Sequence, residues 1–124
     1  MARVLLIDDD GGNLDFMRQF LQIEGHELVR AADGEQGLAQ VRQFRPDLVI
    51  CDAVMPHLGG YAVLETVRAD PQVSGIPVLP FSAAMNEDAR AIGLRRGATD
   101  VLAKSFELTQ LRSAIGRCLG QAPR

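Results

Sequence analysis

A chain of 124 residues with 47% hydrophobic content fits one domain, large enough to bury roughly two thirds of its unfolded surface around an ordinary core. Its 13 basic and 16 acidic residues leave a net charge of −3, which argues against nucleic-acid binding by charge alone. No apolar run approaches the ~20 residues of a membrane span, and the opening Met1-Ala2-Arg3-Val4-Leu5-Leu6-Ile7 reaches acids too soon for a signal peptide. Cys51 and Cys118 read as core thiols in a reducing cytoplasm rather than as a disulfide or a metal pair.

Val4-Leu5-Leu6-Ile7 is a short apolar run that stops at Asp8-Asp9-Asp10, and Gly11-Gly12 separate it from a helical segment. There Phe16, Met17, Phe20 and Leu21 fall on one helix face, and Gly25 ends the helix as a C-cap. Glu27-Leu28-Val29-Arg30-Ala31 is a shorter, more polar strand, nearer a sheet edge. Asp33 and Gln36 form a capping pair for the next helix, which turns Leu38 and Val41 inward and ends by Pro46.

Val49-Ile50-Cys51 is consecutive, apolar and partly β-branched, the pattern of a strand buried on both faces, and it delivers Asp52 at its C-terminal end. Pro56 closes that segment. After Gly59-Gly60 a helix carries Val63, Leu64 and Val67 inward and stops near Asp70-Pro71. Ile76 to Phe81 is a fourth strand ending on Ser82. Its Pro80 needs a position where no amide bond is required. Asn86 caps a helix running to Arg96. Asp100-Val101-Leu102-Ala103 is a fifth strand ending at Lys104, and Leu108, Leu111, Ile115 and Leu119 line the inner face of the last helix.

Strands alternating with helices in this way predict an α/β fold, a five-stranded parallel sheet of order 2-1-3-4-5 with helices on both faces. That order brings the end of strand one beside the end of strand three. Asp8, Asp9, Asp10, Asp52, Ser82 and Lys104 then share the rim where ligands of open parallel sheets bind. The competing reading of the acids is helix and turn capping. Carboxylates crowded within about 4 Å repel by several kcal/mol at an effective dielectric of about 20. Such a cluster raises one carboxylate's pKa or holds a divalent cation, and oxygen-only ligands at a sheet rim suit Mg²⁺. With the Lys104 ammonium and the Ser82 hydroxyl, these are the parts for phosphoryl transfer to a carboxylate.

Taken together, Asp8-Asp9, Asp52 with Met55-Pro56, Ser82-Ala83 and Lys104 resemble the receiver domain of two-component response regulators, over about residues 3 to 119. The chemotaxis member of that family has the flavodoxin-like 2-1-3-4-5 order. The resemblance implies that Asp52 accepts a phosphoryl group from a phosphohistidine on a histidine kinase or histidine phosphotransfer protein. It also implies that Mg²⁺ is bound by Asp9, Asp52 and the backbone carbonyl of Val54, with Asp8 acting through a water. Ser82 would hydrogen-bond the phosphoryl group and Lys104 would pair with it. The domain would span residues 1–124, with 120–124 a tail or the start of a linker. It would sit in the cytoplasm and act as a signalling switch rather than a conventional enzyme. Its output would run through a downstream protein target or an output domain outside this chain. The surface of helix four, strand five and helix five would offer a homodimer or target contact.

The chain departs from the family pattern in three places. Lys104 is followed by Ser105, where the family has proline. The family's switch aromatic is replaced by Val101, which has no ring to swing. Val54 and Ala84 cannot orient a water for attack on an acyl phosphate, which predicts slow autodephosphorylation. These departures support a second reading, a receiver that binds partners without phosphorylation. A phosphatase of the haloacid-dehalogenase type would need an acid where Val54 stands, and an FMN carrier would need a hydroxyl- and glycine-rich loop where this chain has three acids. His57 reads as a solvated loop residue and Cys51 as core. Arg90, Arg95 and Arg96 read as a solvated helix face or a partner contact.

Overall fold

Val4 to Ile7 is buried along its whole length, as a strand covered by helices on both faces must be. The computed structural model describes residues 2–9, 15–53, 55, 58–82, 86–103 and 107–121. Five strands, β1 (Arg3–Ile7), β2 (Glu27–Ala31), β3 (Leu48–Asp52), β4 (Val78–Ser82) and β5 (Leu102–Ala103), alternate with five helices. These are α1 (Asp15–Ile23), α2 (Gly34–Phe44), α3 (Gly60–Ala69), α4 (Glu87–Arg95) and α5 (Leu108–Gln121). The strands form one parallel sheet in the expected order, β2-β1-β3-β4-β5.

Alternation along the strands divides the core in two. Val4, Leu6, Leu48, Ile50, Leu79 and Phe81 pack under α1 and α5 with Met17, Leu21, Leu111 and Ile115. Leu5, Ile7, Val49, Cys51 and Val78 face the other way, onto Val41 of α2 and Val63, Leu64 and Val67 of α3. The capping expectations hold. Asp33 accepts from the Gln36 amide, the Gln36 side chain returns to Ala32, and Asn86 accepts from Ala89. Gly25 takes φ 88 at the end of α1, a left-handed value that costs glycine nothing.

Four details differ from the sequence expectation. Phe16 is 49% exposed, because it lies about 100° around the helix from Met17 and falls off the stripe formed by Met17, Phe20 and Leu21. Leu108, at the first turn of α5, is likewise exposed. The fourth strand starts at Val78 rather than Ile76. The fifth pairs only over Leu102 and Ala103 rather than from Asp100. The last difference follows from Pro80. Phe81 offers its carbonyl to Ala53, just past β3, and Val78 offers its carbonyl to Thr99 on the opposite side. Pro80 shares the parity of Val78, so its missing amide faces β5, and the ladder there begins only beyond it.

Candidate functional site

The β1–β3 register pairs Val4 with Leu48 and ends on Ile7 opposite Cys51, so the next step along both strands sets Asp8 beside Asp52. Both acids share the parity of Leu6 and Ile50, which fixes their side chains on the same face of the sheet. Asp8 is 2% exposed and Asp52 3%, while Asp9 stands in solvent at the same rim. One carboxylate oxygen from each of Asp8, Asp9 and Asp52 lies within 4.8 Å of the others.

The backbone around Asp52 is tightly held. The Asp8 amide donates to Ala31, the Ala53 amide to Phe81, and the Gly60 amide to Ala53. The first residue of α3 is glycine for a steric reason, since a Cβ there would overlap the carbonyl oxygen of Asp52. The helix that follows the site is therefore seated directly on the backbone of the central acid. Cys51 points to the opposite core, as expected, and burial with the charges of Asp52 and Asp8 pushes its thiol far above the usual range. It is a packing residue, with no thiolate at neutral pH.

Ser82 ends β4 one step past Phe81, the register partner of Asp52, and is half-buried at the same rim. Val101 is 3% exposed and belongs to the core under α3 and α4, not to the surface. Asp10, Val54, Pro56, His57, Ala83, Ala84, Lys104 and Ser105 lie outside the described residues. The donors that are described fit a hard divalent cation. They are all carboxylate oxygens, two of them held in a buried wall and one open to water. They suit neither zinc nor copper, which favour nitrogen and sulfur.

Three further residues organise the molecule and were not singled out from sequence. Asp100 is a buried carboxylate held by Arg90 of α4 and Arg117 of α5, while its Oδ1 also accepts from the Val101 amide. Arg90 is therefore no mere solvated charge. Arg68 of α3 donates to the carbonyls of Gly97, Ser74 and Ile76, joining the turns on either side of β4, and burial lowers its pKa. Tyr61 packs against the α3-side core beneath the guanidinium of Arg96, 5.2 Å from the ring centroid.

Residues 4–116 match the family model described as the response regulator receiver domain. The chain is 34% identical over 119 residues to Protein PilH of Pseudomonas aeruginosa, a match covering 96% of this chain and 98% of that protein. It is 32% identical to the DNA-binding dual master transcriptional regulator RpaA of Synechocystis sp., matching over its whole length but spanning only 52% of that regulator. A putative response regulator from Chloroflexus aurantiacus superposes with a TM-score of 0.90 at 34% identity, covering 96% of this chain and 98% of that one. The chemotaxis protein CheY4 of Vibrio cholerae superposes with a TM-score of 0.87 at 32% identity, over 96% and 99% of the two chains.

Proposed function

Because this chain belongs to the response regulator receiver domain family, we propose that it is a phosphorylation-dependent switch whose acceptor is Asp52. Receiver domains are signalling modules that work with histidine kinases and output domains, and the residues of this chain support that role. The observation that carries the reading is the gathering of Asp8, Asp9 and Asp52 within 4.8 Å at the C-terminal rim of the sheet. A fold stabilised only by packing has no reason to bury two like charges side by side. A metal-dependent acceptor does.

In the proposed reaction an Asp52 carboxylate oxygen attacks the phosphorus of a phosphohistidine. The new P–O bond forms as the N–P bond breaks, and the imidazole leaves with the electron pair of that bond. Asp9, Asp52 and the carbonyl of Val54 would hold Mg²⁺, with Asp8 reaching it through a water. When bound, the cation neutralises charge on the phosphoryl oxygens. Ser82, at the end of β4, would donate to the phosphoryl group, and the ammonium of Lys104 would stabilise the added negative charge. Burial of Asp52 keeps bulk water from the acyl phosphate.

The donor is a histidine kinase or a histidine phosphotransfer protein. The output is a protein contact through the α4–β5–α5 surface, either a homodimer or a downstream target, or an output domain in a longer chain. PilH matches this chain at nearly full length, whereas the DNA-binding regulator RpaA extends to about twice its span. We assign one domain with a core over about 3–119, a cytoplasmic setting, and no conventional turnover of a separate substrate. Among the described residues no helix is long and apolar enough to cross a membrane. The test is incubation with Mg²⁺ and acetyl phosphate or phosphoramidate, followed by intact-mass measurement. One added phosphoryl group that is absent from Asp52→Asn supports the switch. Absence of any gain with Mg²⁺ bound supports the phosphorylation-independent binding module.

A further inference from the structure

Helix α4 lies so close to the sheet at Gly93 that a Cβ there would stand 2.8 Å from Cγ1 of Val101. The same point is 3.5 Å from both Cε1 and the hydroxyl of Tyr61. Tyr61, Gly93 and Val101 thus meet in one seam between α3, α4 and the strand leading to Lys104. The aromatic ring in that seam comes from α3, and Val101 is buried beside it. Tyr61 follows Gly60, whose Cα is pressed against the carbonyl of Asp52 and whose amide bonds Ala53 at 3.2 Å. No side chain cushions that contact. A displacement of the Asp52 backbone is therefore passed to the first turn of α3, and Tyr61 stands on that turn. At its far side the ring lies under Arg96, the C-cap residue of α4.

We propose that Tyr61 is a positioning residue that couples the state of the Asp52 carboxylate to helix α4, its ring shifting against Gly93 when the acceptor is occupied. The inference rests on the acceptor reading of Asp52. Such coupling requires that the seam have two packings, one for each state of the acceptor, with Tyr61 contributing differently to each. A half-buried ring with glycine opposite has room to adopt both, whereas a buried valine has not. Tyr61 also touches both helices, which Val101 alone does not link to the site.

The chain contains one tyrosine and no tryptophan, so its intrinsic emission reports Tyr61 alone. The experiment titrates the full chain with Mg²⁺ and beryllium fluoride, a stable mimic of an aspartyl phosphate, while ¹⁹F NMR follows the bound fluoride. The expected result is a change in Tyr61 emission and acrylamide quenching that saturates together with the bound-fluoride signal and is absent in Asp52→Asn. The ¹⁵N-amide shift of Gly93 on binding should be lost in Tyr61→Leu and kept in Tyr61→Phe, with the bound-fluoride resonance present in both. A purely structural tyrosine would lower Tm in Tyr61→Leu and leave the Gly93 response intact, which overturns the proposal. So does full fluoride occupancy with Tyr61 emission unmoved. A missing fluoride signal in the wild type instead removes the acceptor reading, and the coupling with it.

Discussion

Arg117 from α5 grips one oxygen of Asp100 in a fork, with Nε at 2.8 Å and Nη2 at 2.5 Å from Oδ2. Arg90 from α4 takes the other oxygen at 2.7 Å, so one buried carboxylate ties two helices to the strand between them. The two arginines are half exposed, and each alone is worth little in solvent, but the acid they share is not free to solvate. Removing either arginine leaves Asp100 the other arginine and the Val101 amide and should cost about 1 kcal/mol. Removing both strands a buried charge and should cost about 3 kcal/mol or more, beyond the sum of the singles. Urea unfolding of Arg90→Ala, Arg117→Ala and the double variant decides it. Additive losses would show that the pairs act as independent surface contacts.

Arg68 of α3 makes a related prediction. Its guanidinium satisfies three backbone carbonyls, of Gly97, Ser74 and Ile76, at 2.8, 2.9 and 2.6 Å. These belong to two turns that have no other shared side-chain partner among the described residues. Arg68→Ala should destabilise the fold by about 2–3 kcal/mol, and Arg68→Lys should recover little, because an ammonium cannot reproduce the planar fork. Chemical denaturation measures the loss. Hydrogen exchange should place the new opening at residues 71–76 and 97–99. A lysine variant as stable as the wild type would mean that charge rather than fork geometry holds these turns.

What could be read in the sequence was whatever is written locally or by parity. Val4 to Ile7 and Leu48 to Asp52 announce strands covered on both faces, and once they are neighbours, Asp8 and Asp52 must meet. Asp33 and Asn86 cap because the amides they accept from are only three residues away. Asp100 was read only as a strand start, because its partners lie 10 and 17 residues off on two helices and nothing local marks the pairing. Arg68 looked like an ordinary basic residue of a last helical turn, since its acceptors are carbonyls, which leave no trace in composition. Phe16 and Leu108 were assigned to inner faces by spacing, yet a stripe read from periodicity does not fix its own edges. Tyr61 carried no signal beyond being the single tyrosine.

His26 gives a pH dependence whose sign can be worked out. Its Nδ1 accepts the Ala2 amide at 3.1 Å, which requires the ring to be unprotonated there. Burial, with the positive amino terminus adding, lowers its pKa below 6.5, and the charge of Glu24 opposes the shift only in part. The unfolded chain then binds the proton more tightly than the folded one, so stability rises with pH across this window. The contribution is fully present above about pH 6.5 and is lost as pH falls through that value toward the folded pKa. His26→Asn keeps an acceptor oxygen and removes the titration. Its stability between about pH 7.5 and 5.5 should fall less than that of the wild type, read as Tm at constant salt. Parallel curves would detach the acid sensitivity from His26.

The acid cluster predicts opposite effects of one substitution with and without metal. Asp9 is the exposed member of a set whose oxygens lie within 4.8 Å, so its charge raises the energy of the metal-free fold while serving the proposed cation site. Pair repulsion at that distance is about 3 kcal/mol at an effective dielectric of about 20, and exposure reduces it to about 1 kcal/mol. Asp9→Asn should therefore be more stable than the wild type in EDTA by about 1 kcal/mol. In Mg²⁺ the order should reverse. At 100 times its Kd a cation stabilises the protein that binds it by about 2.7 kcal/mol, and the variant forgoes most of that gain. Thermal melts of both proteins in EDTA and across a Mg²⁺ titration provide the comparison, with Ca²⁺ as the control for size. A variant less stable in EDTA would mean that Asp9 serves as a structural cap. An equal Mg²⁺ response in both proteins would move the cation away from this carboxylate.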